Sequence, residues 1–275
     1  MEIYLVNFAT SEFRYSQCLL NLSAVRYGIH KINSFDWDDI LGTEFYAQNK
    51  YILDQKRGAG YWLWKPYFII QILQKIPENS ALLYLDSGTE IIKDLLPLFE
   101  ICKESPKGIV LFSNSGHLNK TWTKRDCFLL TGCDSKEYWD GRQVSANFQL
   151  YKKNDQSIDF VREWLDLCKD PNILTDLENV YGKADFTDFV DHRHDQSVLS
   201  LLSIKYDIEI YRDPSQFGNP YKMEKYRHHH EFLEREYVDL PFLNSEYDTL
   251  FFSHRHKYNF LQYLKLRLKN YTFNN

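Results

Sequence analysis

LLYLDSGTE, Leu82 to Glu90, is the stretch from which the rest of the chain is read. With Ala81 it runs five apolar or aromatic residues into a carboxylate, a serine and a glycine. Pro77-Glu78-Asn79-Ser80 before it and Gly88 after it bound the run, which predicts a buried strand. Burying a carboxylate without a partner is expensive, so Asp86 belongs at the strand's exit, facing a cleft. In open α/β sheets that edge is where ligands bind.

Outward from this strand, apolar periodicity and turn residues alternate strands with helices. Strands are expected at Ile3–Phe8, Gly108–Ser113, Ser145–Lys152, Ile208–Tyr211 and Thr249–Ser253. Helices are expected at Ser16–Tyr27, from Pro66 to Lys75, and at Asp94–Ser105, Ile158–Lys169, Asp195–Leu202 and Tyr258–Tyr271. Asp36–Gln55 reads as partly helical, and Arg227–His230 as an exposed loop. There are no repeats and no linkers rich in Pro, Gly or Ser. One α/β domain followed by a C-terminal helix is the organisation this predicts.

Composition narrows the function. The chain has 275 residues, enough for one large α/β domain, and a net charge of −5, against a general nucleic-acid binder. An aromatic content of 16% suits a site that stacks rings or sugars. Cys18, Cys102, Cys127, Cys133 and Cys168 form an odd, scattered set without a CxxC pair, which reads as buried free thiols in a reducing cytoplasm. The start, MEIYLVNFATSEFRY, lacks the basic region and the long apolar run of a signal peptide, and nowhere do 18 apolar residues run together. A cytoplasmic protein is expected.

Several common signatures are missing. There is no GxxxxGK[ST] and no GxSxG, and Gly58-Ala59-Gly60 lacks the strand and third glycine of a dinucleotide fingerprint. Asp86-Ser87-Gly88 has no second aspartate two residues on, as a DxDGT phosphatase needs, and occurs once, where an aspartic protease needs two such carboxylates. His192, His194 and Asp195 look superficially like a metal cluster, but HxHD lacks further ligands and its two histidines do not converge easily.

A strand that ends in an aspartate, with a further polar position two residues on, resembles the strand end of GT-A-fold glycosyltransferases. The similarity is to the glycogenin-like and lipopolysaccharide-galactosyltransferase-like group and to initiating mannosyltransferases, whose strand closes with Asp-x-Asp. Here Gly88 replaces the second aspartate. SANFQLYKKN (Ser145–Asn154) is similar to the segment that touches the donor sugar in that group, with Asn147 offset by a residue or two. HRHDQSVLSLL (His192–Leu202) is similar to its Asp-Gln helix start near the reacting carbon. FFSHRHK (Phe251–Lys257) occupies the place of a late histidine and lysine that hold metal and diphosphate.

The resemblance implies a single GT-A-like, Rossmann-like domain over residues 1–257 with a mixed, mostly parallel central sheet flanked by helices. Residues 258–275 then form a basic amphipathic helix. It implies transfer of a sugar from a nucleotide-sugar donor, UDP-linked for preference, to a glycan or lipid-linked glycan of a bacterial-type surface polysaccharide, with retention of configuration. Catalytic roles fall to Asp86, Asp195 and Gln196. Nucleotide and diphosphate contacts fall to Phe8, Thr10, Lys65, Lys124, Arg125, His254 and Lys257. Donor-sugar or acceptor contacts fall to Trp62, Trp64, Ser87, Gly88, Asn147 and His194. Asp86 and His254 are the expected ligands of a Mn²⁺ or Mg²⁺ ion, although Gly88 leaves open a metal-independent site in which basic side chains neutralise the diphosphate.

Alternatives remain at this point. Any one lysine reads most simply as a solvated surface charge, and at least one of Trp62 and Trp64 as core. An inverting enzyme needs a carboxylate base, for which Asp126, Asp191 and Asp195 are available. A metal-dependent hydrolase or phosphotransferase, or a non-catalytic glycan-binding module, would also use the Asp86 strand end. The tail, with Leu261, Leu264, Leu266 and Leu268 beside Lys265, Arg267 and Lys269, either packs on the core or lies peripherally on the cytoplasmic face of an anionic membrane.

Overall fold

The computed structural model describes residues 1–218 and 244–272, with Ser115 and residues 268–272 described by their backbone alone. The Arg227–His230 loop expected from sequence lies outside the described residues. In chain order the strands are β1 (Ile3–Phe8), β2 (Lys31–Phe35), β3 (Ala81–Leu85), β4 (Thr89–Ile91), β5 (Ile109–Leu118), β6 (Arg142–Val144), β7 (Phe148–Lys152), β8 (Ile210–Tyr211) and β9 (Phe251–Ser253). Seven of them make one sheet in the order β2-β1-β3-β7-β5-β6, with β8 added on β5, while β4 and β9 pair separately.

The sheet is mixed, as expected, but not mostly parallel. β1 pairs parallel with β2 and β3, and β5 with β8. The pairs β3–β7, β5–β7 and β5–β6 are antiparallel. The difference comes from β7, which inserts between β3 and β5 and runs against both.

β3 explains why its sequence is continuously apolar. Leu82 and Tyr84 pack on one face with helices Trp64–Lys75, Asp155–Cys168 and Asp195–Lys205, among them Phe68, Trp164 and Leu201. Ala81, Leu83 and Leu85 pack on the other with helices Arg14–Arg26 and Leu96–Glu104, through Leu20, Ala24 and Leu98. A strand covered on both faces has no polar side to show. Each leucine buried there contributes about 1.5–3 kcal/mol.

Helix boundaries move from expectation where caps decide them. The helix expected from Ile158 starts at Asp155, because the Asn154 side chain accepts from Ser157 N at 2.8 Å and the Ser157 hydroxyl accepts from Asn154 N at 3.2 Å. β2, a strand the apolar pattern does not announce, pairs among the described residues with β1 alone. The tail helix Phe260–Thr272 leans on the first helix through Tyr15, which stacks on Tyr263 at 5.3 Å. Among the described residues no helix is long and apolar enough to cross a membrane.

Candidate active site

Because β1 and β3 are parallel and β7 opposes β3, the exit of β1, the exit of β3 and the entry of β7 lie along one edge of the sheet. Thr10, Asp86 and Asn147 occupy those three places. Leu85 pairs with Phe148, so Asp86 and Asn147 face each other one step further out, and Asp86 N donates to Asn147 O at 2.8 Å. The Asn147 side chain is exposed there.

Lys65 joins this edge from below. It lies in the first turn of the Trp64–Lys75 helix and is 2% exposed. Its Nζ lies 2.9 Å from Asp195 Oδ2 and 3.4 Å from Asp86 Oδ1, and donates to Ala146 O at 3.0 Å. Burial pushes the ammonium's pKa down, but Asp195 and Asp86 outweigh it and the net shift is upward. Asp195, 4% exposed at the first turn of its helix, is pushed up to about 6 by burial against the pull of Lys65. Its Oδ2 is close to Lys65 but off the line of a hydrogen bond, so charge attraction holds that oxygen. Asp86 remains 30% exposed, and its Oδ1 also accepts from the Tyr84 hydroxyl at 2.5 Å. Both contacts of Asp86 fall on Oδ1, so Oδ2 is the oxygen they leave to a ligand.

Gly88 has a packing reason of its own. A Cβ built on it would stand 2.3 Å from the backbone oxygen of His254, because His254 N donates to Gly88 O at 2.7 Å where β9 runs beside β4. No aspartate fits at position 88 without displacing β9. The missing second carboxylate is therefore built into the β4–β9 pairing, and Ser87 beside it is buried. The same strand carries the His254–Lys257 segment back to the first loop. The Ser16 hydroxyl donates to His256 O at 2.7 Å, and Lys257 Nζ meets Glu12 at 2.8 Å. His254 is pushed down to about 4 by burial, with His256 adding to the effect.

Gln196 ends a chain of amides under the same edge. Its Nε2 donates to Gln143 Oε1 at 2.9 Å, and Gln143 Nε2 donates onward to Asn119 and Thr123, each at 3.1 Å. Gln143, invisible to motif reading because it sits mid-strand in β6, is what fixes the orientation of Gln196.

Other expected contacts are redirected by burial. Phe8 is core, its ring stacked on Trp64 at 4.0 Å and on Phe68 at 5.9 Å, so it does not face a nucleotide base. Trp64 is core with it, whereas Trp62 stays partly exposed against His194 at 5.6 Å. Lys65 is committed to Asp86, Asp195 and Ala146 and is not a free cation for a diphosphate. Lys124 and Arg125 are buried anchors of the 175–194 segment: Lys124 Nζ donates to Leu177 O at 2.9 Å, Arg125 N to Asp185 at 2.6 Å, and the Arg125 guanidinium pairs with Asp134 at 2.7 Å. Asp126 is buried, accepting from Val180 N and Tyr181 N, which removes it as a base.

The trio His192, His194 and Asp195 does not converge on an ion. His192 is hydrogen-bonded to Ile173 O and His194 to Leu174 O, while Asp195 turns to Lys65. Among the described residues no group of three or more His, Cys, Asp or Glu side chains is arranged to hold a metal. Asp86 and His254, the two ligands expected from sequence, would leave most of the coordination of a Mg²⁺-type ion to substrate phosphates and water.

No family model and no curated protein matches this chain. Solved structures similar to it include mouse xyloside xylosyltransferase 1 in its apo form, at 9% identity over 93% of this chain and 98% of that one, TM-score 0.45. The glycosyltransferase GlyE of Streptococcus pneumoniae matches at 20% identity over 93% of this chain and 55% of its own, TM-score 0.41. The galactosyltransferase LgtC in complex with donor and acceptor sugar analogues matches at 12% identity over 93% and 87%, TM-score 0.43.

Proposed function

We propose that this chain is a glycosyltransferase that moves a sugar from a nucleoside-diphosphate donor, UDP for preference, to a glycan or lipid-linked glycan, with retention of configuration. The observation that carries the reading is the Asp86–Lys65–Asp195 chain at the exits of β1 and β3, closed by the first loop and the His254–Lys257 segment. Lys65, Asp86 and Asp195 lie far apart in sequence, and their meeting at one edge of the sheet supports the reading.

In this reading Asp86 and Asn147 hold the donor sugar, while Thr10 lies beside the nucleotide. Lys257 draws on the leaving diphosphate. Its present partner Glu12 is exposed, and such a pair is worth about 0–1 kcal/mol, so a diphosphate competes for the lysine at little cost. Asp195 and Gln196, fixed by Lys65 and Gln143, line the floor beneath the reacting carbon. Retention follows if the acceptor attacks on the face the diphosphate leaves, the departing oxygen taking the acceptor's proton. A peripheral place at the cytoplasmic face of the membrane belongs to the same reading, through the tail helix, whose Phe260 and Leu261 are exposed.

The test is thermal-shift binding of UDP, GDP, CDP and CMP, each with Mn²⁺ and with EDTA. Saturation at a hundredfold excess over Kd stabilises a fold by about 2.7 kcal/mol. A shift with one diphosphate, weakened by Asp86→Asn, supports the reading, and no shift with any of the four overturns it. Survival in EDTA assigns the diphosphate to side chains.

A further inference from the structure

Arg57 through Trp62 form a turn that the proposed donor site does not use. Gly58, Ala59, Gly60, Tyr61 and Trp62 all have positive φ, between 49° and 83°. Left-handed backbone costs about 1–2 kcal/mol for each non-glycine residue, and strain of this kind persists where surrounding contacts over-determine it. The contacts here are specific. Arg57 reaches Asp176 at 3.0 Å and Asp191 at 2.6 Å, and the Tyr61 hydroxyl donates to Asp176 Oδ2 at 3.1 Å. All three charged side chains are between a third and a half exposed, so the cluster opens to solvent.

Behind it stands His194, 2% exposed, with φ 53° and ψ −120°. Its Nδ1 is bonded to Leu174 O at 2.8 Å, and its Nε2, which has no hydrogen-bond partner among the described residues, lies 3.8 Å from Asp176 Oδ1. A buried, unsatisfied ring nitrogen costs about 1–3 kcal/mol. Two strained segments therefore converge on one carboxylate and leave a polar atom unanswered beside it. The cluster is joined to the proposed donor site at both ends: His194 precedes Asp195, and Lys65 N donates to Trp62 O at 2.9 Å.

From this geometry we infer that Arg57, Tyr61, Trp62, Asp176 and Asp191, backed by His194, form the subsite for the acceptor sugar. A pyranose presents adjacent hydroxyls that donate to carboxylates and accept from a guanidinium. It also has an apolar flank that suits the partly exposed Trp62 side chain. Asp176 Oδ1 and Asp191 Oδ1 are not used by the Arg57 and Tyr61 contacts, so each can accept a hydroxyl without breaking them. The inference rests on the transferase reading.

The test uses the full chain and methyl glycosides of glucose, galactose, N-acetylglucosamine and mannose at millimolar concentration, read by saturation-transfer NMR, beside UDP binding on the same samples. Expected is saturable binding of at least one glycoside that falls tenfold or more in Asp176→Asn and in Tyr61→Phe, with UDP affinity unchanged. Glycoside binding that survives both substitutions overturns the subsite, as does UDP binding with no glycoside bound by the wild type. A wild type that binds neither a glycoside nor any of UDP, GDP, CDP and CMP overturns the transferase reading together with it.

Discussion

Lys65 Nζ and Asp195 Oδ2 stand 2.9 Å apart, with both side chains less than a twentieth exposed. Neither charge would be tolerated there alone, since the desolvation of each is offset by the other.

Removing one partner should therefore cost more than removing both. Lys65→Met leaves Asp195 buried without a cation, and breaking such a pair costs about 3–5 kcal/mol. The double variant Lys65→Met with Asp195→Asn should regain part of that loss. Urea denaturation at pH 7.5 measures both, and a double variant less stable than Lys65→Met would refute the pairing.

Restoring a second aspartate should fail. Gly88→Ala already places a Cβ 2.3 Å from the His254 oxygen, and backbone cannot yield as a flexible side chain can. Overpacking of this kind costs about 1–3 kcal/mol, and Gly88→Asp should cost at least as much, with no recovery on adding Mn²⁺. Denaturation midpoints within error of wild type would show that β9 moves freely.

Much of this site could be read in the chain, and the unread part has a physical cause. Asp86 belongs at a strand exit because the continuously apolar ALLYL run is buried and a carboxylate without a partner is costly to bury after it. Short motifs name Asn147, Asp195 and His254, and the fold sets Asn147 opposite Asp86, Asp195 against Lys65 and His254 beside Gly88. What sequence could not separate was a polar residue facing a ligand from one facing its own protein. Lys124 and Arg125 read as diphosphate contacts and Asp126 as an available base, yet all three anchor the 175–194 segment. Phe8 looked like a base platform, yet Trp64 covers it. Nor did Gly58-Ala59-Gly60 announce a left-handed turn, since five successive positive φ values depend on Leu53 and Trp62 packing against the glycines.

That turn gives a paired prediction. Gly60 and Gly28 have nearly the same φ, 83° and 84°, so an alanine at either meets about 1–2 kcal/mol of backbone strain. Among the described residues a Cβ at Gly28 meets nothing within 4 Å, whereas one at Gly60 would stand 2.8 Å from Leu53 Cα. Gly60→Ala should therefore lose about 1–3 kcal/mol more than Gly28→Ala. Equal midpoints for the two would mean that the turn relaxes.

Asp213 tests the buried acids away from the site. Burial pushes it up to about 6, and its Oδ1 accepts from Ser215 N at 2.7 Å. Its folded pKa lies above the ordinary carboxylate value near 4, so between those two pH values the folded state binds more protons than the unfolded one. The destabilisation is full above about pH 6 and disappears as pH falls below about 4. At about 1.4 kcal/mol per pH unit, the span is on the order of 3 kcal/mol. Asp213→Asn keeps an oxygen for Ser215 N and removes the charge. It should raise stability by about 1–3 kcal/mol at pH 7.5, with the gain vanishing by pH 4. His192 and His194 shift the whole curve in the opposite sense, because burial lowers both and acid must charge them. They are present in both proteins, so the difference between variant and wild type isolates Asp213. A difference independent of pH would show that the carboxylate is solvated in the folded protein.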